Sequence, residues 1–466
     1  MKKIILSAMM LGTTVLAGAQ TKDGGISPAM LKQIQQQPTE VAATKALQNA
    51  IQNNSIDLLA KGKAMREQVP SQFSVETRKQ SITNQKSSGR CWMFSGLNVL
   101  RNNFALANEG KVVTFSQDYL FFWDQLEKSN LMLQGIIDTA DKDAMDPEVQ
   151  FFFHSPIGDG GTFCGVIDLV EKYGLVPTEV QPETFTSENT SRMSRLLSSK
   201  LREYGLKLRK MVAEKKSAAD IKAEKTKMLQ TIYGMLCLAY GNPIQEFTYA
   251  HHDKDGKVVG EAKRYTPKQF AEECGAMKLK NTFIMVMNDP RNEYNKVYEI
   301  QYDRHTYDGL NWRYLNLPME EIEKLAIAAL KDGKKMYSSY DVGKFLDRPR
   351  GYASLENFDY GSLFMTEFPM TKAERLLTRD SGSTHAMTLS AVNLDANGTP
   401  TAWKVENSWG ADSGQKGCLV MTADWFREYM FRLVVDKKYA SKDILKLAEQ
   451  KPVMLKYDDA LFEDNF

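Results

Sequence analysis

Helical spacing dominates the first half of this chain and strand alternation the second, and no other feature limits its possible folds as much. From Cys91 to Leu106 apolar residues recur at helix period, so Trp92, Phe94, Leu97 and Leu100 can share a buried region. Phe115 to Leu126 reads as a second helix, with Ser116 as its N-cap. Gly158-Asp159-Gly160-Gly161 is a tight turn, and a helix through Val166 to Tyr173 then stops at Gly174. From about Leu279 the pattern changes. Thr282 to Met287, Val297 to Tyr302, Met387 to Asn393, Thr401 to Glu406, Gly417 to Met421 and Phe431 to Val435 read as strands. An amphipathic helix over Glu320 to Lys331 interrupts them, and Asp395-Ala396-Asn397-Gly398 is a hairpin signal. Helices first and strands later specify an α+β chain with two unlike halves.

The 466 residues amount to two or three domains' worth of material. A formal net charge of +2 argues against a dominant role on nucleic acid or anionic membrane. The first residues read as an export signal. Lys2 and Lys3 precede a short apolar run from Ile4 to Ala17, and Ala17-Gly18-Ala19 is a small-residue cleavage site. The mature protein is expected to begin near Gln20 and to be exported, to the periplasm or beyond the cell. No later segment is long and apolar enough to cross a bilayer, so no membrane insertion is expected once the signal is removed. The five cysteines, 91, 164, 237, 274 and 418, contain no C-x-x-C pair, which disfavours a zinc site. Cys164, Cys237, Cys274 and Cys418 read as buried small apolar residues, with a disulfide at Cys164 left open. The pair His251-His252 beside Asp253 reads as a solvated loop, and His154 and His305 show no ligand arrangement.

Residues 187 to about 235 are rich in Lys and Arg, with Leu196, Leu201, Leu208, Met211, Ile221 and Met228 between them. They read as a helical hairpin inserted into the main fold, its charges a solvated basic face.

The chemistry gathers in four short segments. Cys91 follows a glycine-containing turn at a helix start. A thiol of ordinary pKa, ~8.5, gives little nucleophilic anion at neutral pH. Unpaired N–H groups at a helix N-terminus favour that anion. Gln85, six positions earlier, offers an amide donor for an oxyanion, with the Cys91 N–H as a second donor. Such a donor is worth ~2.7–4 kcal/mol of barrier, because the charge it meets exists only in the transition state. His385 opens a strand-like run and can serve as the base that takes the thiol proton and later protonates the leaving amine. Asn407 can orient the ring of His385, and Trp409 can cover that hydrogen bond. Cysteine, histidine and asparagine in that order, preceded by the glutamine, point to nucleophilic hydrolysis.

Gln85-Lys86-Ser87-Ser88-Gly89-Arg90-Cys91-Trp92 resembles the nucleophile motif of papain-like cysteine peptidases. More narrowly, the chain is similar to the bleomycin hydrolase and aminopeptidase C family. Further matches are Asp159-Gly160-Gly161, Asn288-Asp289-Pro290, Tyr314-Leu315-Asn316, Asp341-Val342-Gly343-Lys344, Lys372-Ala373-Glu374-Arg375-Leu376 and Trp403 through Gly410. The resemblance implies a papain-like two-lobed fold, with a helical left lobe, a β-barrel-like right lobe and an inserted helical hook. It implies a cysteine-type aminopeptidase with Cys91, His385, Asn407 and Gln85 as catalytic residues. Gly160 and Gly161 would be a substrate wall, and Trp409 would border the cleft. It implies no metal and no organic cofactor, peptide substrates, and a homo-oligomer, often a hexamer in this family, whose hook serves assembly. On that reading the chain divides into a signal peptide (1–19), an N-terminal arm (20–75), a helical lobe (76–186), the hook (187–275), a β-rich lobe (276–450) and a tail (451–466).

The tail departs from the family. There the last residues lie in the cleft and the terminal carboxylate helps hold the substrate amine. Here an acidic segment, Tyr457 to Phe466, follows the familiar approach. An endopeptidase on the same scaffold, and a catalytically silent peptide-binding scaffold protein, are therefore the alternatives.

Overall fold

The computed structural model describes residues 24–36 and 42–462, so the expected export signal lies outside the described residues. The chain divides into two compact units, residues 1–60 and 61–466. The first is helical where described. Pro28–Ile34 starts on Ser27, whose side chain accepts from the Met30 N–H at 3.1 Å, and Ala42–Asn53 and Ile56–Leu59 follow. The arm expected over 20–75 thus ends early as a separate unit. Residues from Lys61 onward are built into the second unit, where the Gly62 N–H donates to Asn357 O at 2.8 Å.

The helical half of this second unit contains α1 (Cys91–Ala107), α2 (Gln117–Asp138) and α3 (Phe163–Tyr173). The hook is a pair of long helices, α4 (Ser191–Ala213) and α5 (Ala218–Tyr240). Ser116 caps α2 as expected, accepting from the Tyr119 N–H at 3.0 Å, but the helix runs twelve residues beyond Leu126. Its continuation carries Leu133 and Ile136 into the core.

Much of the hook's basic charge is used internally. Arg202 donates to Phe153 O and His154 O, both at 2.8 Å, and so satisfies the end of helix Pro147–His154. Arg209 does the same for Thr139 O just past α2, at 3.0 Å. Cations are favoured where a helix leaves its last carbonyls unpaired. The expectation of a wholly solvated basic face is corrected accordingly.

The strand half is one sheet. Its centre runs β1 (Phe283–Met287), β6 (Met430–Asp436), β2 (Met336–Tyr340), β3 (His385–Leu394), β4 (Pro400–Glu406) and β5 (Cys418–Thr422), in that spatial order and antiparallel throughout. Short strands extend both edges. One of them, Val453–Leu455, comes from the expected tail and pairs in parallel with Val297–Ile300. Val75–Glu76, at the expected boundary between arm and helical lobe, pairs with β3 at Val392 and Ala391.

Alternation along β3 divides the core. Ala386 and Thr388 face the helical side, where the Thr388 hydroxyl donates to Ser95 O of α1 at 3.4 Å. Met387 and Leu389 join the opposite cluster with Trp403, Trp425 and the inner face of α6 (Met319–Lys331). Period-two side chains thus serve two hydrophobic layers from one strand.

Three cysteine and histidine expectations change. Cys237 and Cys418 are half-buried rather than buried, and all five cysteines carry free thiols. His251 is not in a solvated loop. It lies buried in strand Phe247–His252, with its Nε2 2.9 Å from Glu273 Oε1 and its ring stacked on Phe104. Burial of a polar ring is tolerated here because a carboxylate answers it.

Two glycines separate packing from helix propensity. A Cβ on Gly135 of α2 would lie 2.3 Å from the Phe152 ring, whereas one on Gly234 of α5 meets nothing within 4 Å. Gly135→Ala is expected to lower stability by ~1–3 kcal/mol through overpacking. Gly234→Ala should raise it by up to ~1 kcal/mol through helix propensity. Urea unfolding midpoints of the two variants, moving in opposite directions, check this.

Candidate active site

Residues 85–90 form a turn that the sequence holds tightly. The Gly89 N–H donates to Asp159 Oδ2 at 2.6 Å, and a Cβ on Gly89 would meet that carboxylate at the same distance. Arg90, fully buried, makes a two-pronged pair with Glu183 at 3.1 and 2.8 Å. The turn delivers Cys91 as the first residue of α1, nearly buried at 7% exposure.

The strand half meets it. His385 is the first residue of β3, and the N–H of its neighbour Ala386 lies 3.5 Å from Cys91 Sγ. Asn407 stands just past β4, its N–H bonded to Gly417 O at 2.9 Å. Its Oδ1 lies 2.8 Å from His385 Nε2 and also accepts from the Ser408 N–H at 2.8 Å. An oxygen can only accept, so His385 Nε2 carries a hydrogen and Nδ1 is the nitrogen left to exchange a proton. The Trp409 ring lies 4.9 Å from the imidazole and tilts over it.

Gln85 is held from both halves. Its Nε2 donates to Ser88 O at 2.5 Å, its Oε1 accepts from the Ser408 hydroxyl at 2.6 Å, and its N–H donates to Ser408 O at 2.8 Å. The amide therefore has a fixed orientation and a second Nε2 hydrogen to offer.

Burial pushes the Cys91 thiol up to about 11, against the Ala386, Trp92 and Cys91 N–H groups, which favour the anion. Burial also pushes the His385 imidazole down to about 4, and the Asn407 hydrogen bond partly offsets this. A charge on either group alone is disfavoured. Opposite charges on the two groups would attract each other strongly for lack of water. The site is recognised by this chemistry and not by volume. A cavity of about 780 Å³ lined by Phe345, Phe358 and Phe368 contains none of these residues.

Gly160 and Gly161 sit in a loop fastened by groups that the sequence reading passed over. Lys128 Nζ donates to Gly158 O at 3.2 Å and Gly160 O at 2.5 Å, and pairs with the fully buried Asp124 at 3.2 Å. Asp124 Oδ1 lies 2.5 Å from His305 Nδ1. His305 Nε2 accepts from the Thr162 N–H at 3.1 Å, so the ring hydrogen belongs on Nδ1. The His305 ring also packs on Trp92, 4.4 Å away, and fills the space where Gly161 has no side chain. Gly161 is thus needed for internal packing as well as for any peptide it meets. Asp124 and Lys128, four apart on α2, were open to reading as a helix pair. Nothing local announced His305.

The Peptidase C1-like family model matches residues 25–461. Human bleomycin hydrolase is 38% identical over 398 residues, 82% of this chain and 86% of that protein. Aminopeptidase C of Lactobacillus delbrueckii subsp. lactis is also 38% identical, over 86% of this chain and 89% of its own. The crystal structure of PepW from Lactobacillus rhamnosis HN001 superposes with a TM-score of 0.89 at 36% identity, covering 94% of this chain and 99% of that one. The chain belongs to the Peptidase C1-like family, and its fold is the papain-like one with the hook described above.

His305→Ala would leave the buried Asp124 with one partner fewer. It is expected to cost ~1.5–3 kcal/mol at neutral pH, because the carboxylate loses one hydrogen bond while Lys128 still answers its charge. Urea denaturation checks the loss. Asp124→Ala with His305→Ala together should cost less than the sum of the two single changes.

Proposed function

We propose that this cysteine-type aminopeptidase removes residues from peptide N-termini through Cys91 and His385, by way of a thioester. The carrying observation is the union of His385 Nε2 with Asn407 Oδ1 at 2.8 Å and Ala386 N with Cys91 Sγ at 3.5 Å. His385 Nδ1 takes the thiol proton as Sγ attacks the scissile carbonyl carbon. The carbonyl oxygen becomes an oxyanion and draws hydrogen bonds from the Cys91 N–H and the free Gln85 Nε2 hydrogen. Collapse breaks the C–N bond, and the imidazolium gives its proton to the departing amine. Water, deprotonated by His385, then attacks the thioester carbon. Its collapse releases the acid and returns the proton to sulfur. Trp409 shields the His385–Asn407 bond from water, and the Gly160–Gly161 wall lets an extended substrate backbone approach.

The course of the chain after Leu455 supports N-terminal trimming. Leu461 is fully buried, with its carbonyl accepting from Arg432 at 2.6 Å. Phe462 packs on Phe151 at 5.3 Å and shares a cavity of about 60 Å³ with Lys128 and Gly158, beside the wall. Of the tail's acids, Asp459 is taken by Arg291 at 2.9 Å, and Glu463 and Asp464 lie outside the described residues. A segment seated there limits how far a substrate can extend on that side.

Two further parts of the reading rest on sequence and surface. Lys2-Lys3, the apolar run to Ala17 and Ala17-Gly18-Ala19 support export, to the periplasm or beyond, with Gln20 as the first mature residue. Assembly into a homo-oligomer through the hook is supported by Leu206 and Leu238, 62% and 92% exposed.

Cys91→Ser should abolish release of the N-terminal residue, and an N-acetylated peptide should be cleaved far more slowly than its free-amine form. Equal rates on both peptides would favour the endopeptidase reading. The pH profile offers a second check. The Asn407 hydrogen bond raises the His385 pKa, so Asn407→Ala lowers it and the imidazolium is lost at a lower pH. Because His385 must be neutral to take the thiol proton, the acid limb of kcat/KM should move to lower pH, with kcat reduced as the ring loses its orientation.

A further inference from the structure

We propose that Arg348 recognises a carboxylate on the leaving part of the peptide, favouring substrates whose second residue is either the last or acidic. The inference rests on the peptidase reading above and names the substrate class of the same site. Arg348 is exposed in the turn between strands Leu346–Asp347 and Tyr352–Ala353. Its guanidinium carbon lies 4.5 Å from the centre of the Trp409 ring, the ring that packs on His385. Stacking holds the cation in place while leaving its N–H edges free.

Among the described residues no carboxylate pairs with Arg348, whereas Arg350 two positions on pairs with Asp347 and donates to Ala64 O at 3.1 Å. The free cation also acts against the catalytic pair, since its charge lowers the His385 pKa. A positive charge set beside a group that must become an imidazolium is accounted for by an anion that arrives with the substrate.

The side on which that anion arrives follows from the proton's path. His385 protonates the departing amine, so the nitrogen of the leaving residue sits at the imidazole. The leaving residue then has Trp409 as its neighbouring apolar surface, with Arg348 stacked on that surface. In a dipeptide the α-carboxylate is one carbon from that nitrogen. In a longer peptide an Asp or Glu side chain at the same residue presents the same group. A fork of N–H donors suits either.

Four substrates separate the two sources: Leu-Ala against Leu-Ala-amide for the α-carboxylate, and Leu-Asp-amide against Leu-Asn-amide for the side chain. They are assayed with wild type, Arg348→Gln and Arg348→Lys, each normalised to the Cys91 thiol titrated by alkylation. Wild type should prefer the carboxylate member of at least one pair. In Arg348→Gln that ratio of kcat/KM should fall about three- to tenfold, the range for a partly exposed charge pair, and through KM. Arg348→Lys should retain most of it. A fall in one pair alone identifies the source. No preference in wild type, or a ratio unchanged in Arg348→Gln, overturns the proposal while leaving the peptidase intact. Hydrolysis of none of the four by alkylatable enzyme overturns the peptidase reading itself.

Discussion

A sulfur at the start of one helix meets a backbone N–H at the start of one strand, and the rest of the unit is arranged around that contact. Cys91 and Ala386 are 295 positions apart in sequence. They meet because β3 lies between β2 and β4 with α1 packed across it, and because the Thr388 hydroxyl fastens strand to helix one residue pair further along. The antiparallel order also brings Asn407, beyond β4, alongside the first residue of β3. Three segments therefore reach one point. The hydrophobic layers on both faces of the sheet hold this arrangement, and their burial is the main favourable term in its stability.

Electrostatics sets the second constraint. The interior contains several charged side chains, and each is answered. Arg90 has Glu183, Lys335 has Glu406 at 2.6 Å, and Asp124 has both Lys128 and His305. Lys372 is the extreme case. Burial lowers its pKa to about 7, and it is held by Asn288 Oδ1 at 2.8 Å and by the carbonyls of Arg427 and Met430. A buried charge without partners would cost several kcal/mol, so these networks fix which segments must be neighbours. On the mechanism proposed above, Cys91 with His385 is the one place where charge has to appear during turnover, and burial disfavours a charge on either group alone.

Much of this was legible in the residues. The two unlike halves followed from the change of period near Leu279. Ser116 announced the start of α2, and six strands of the second half were legible to within a few residues, whereas the central β2 and the short Arg313–Asn316 were not. Cys91, His385, Asn407, Gln85 and Trp409 were all named from short motifs, and the fold brings them together. Most side-chain contacts that the sequence did not reveal share one property. The partners of His305 lie 181 and 143 positions away, at Asp124 and Thr162. His251 looked like part of a polar loop because its partner Glu273 is across a hairpin. Val75–Glu76 is a strand of two residues, too short for alternation to register. Pairing between distant residues leaves no periodic trace in sequence, whereas caps, turns and motifs do.

The hydrogen bond from the Ser408 hydroxyl to Gln85 carries a consequence of its own. The amide that would receive the oxyanion hangs from the helical half, yet its direction is set by a residue of the strand half, 323 positions on. Asn407, next to Ser408, orients the base. On the mechanism proposed above, loosening between the halves would undo the oxyanion donor and the base together. A molecule with its halves parted would then not act as a peptidase of relaxed specificity.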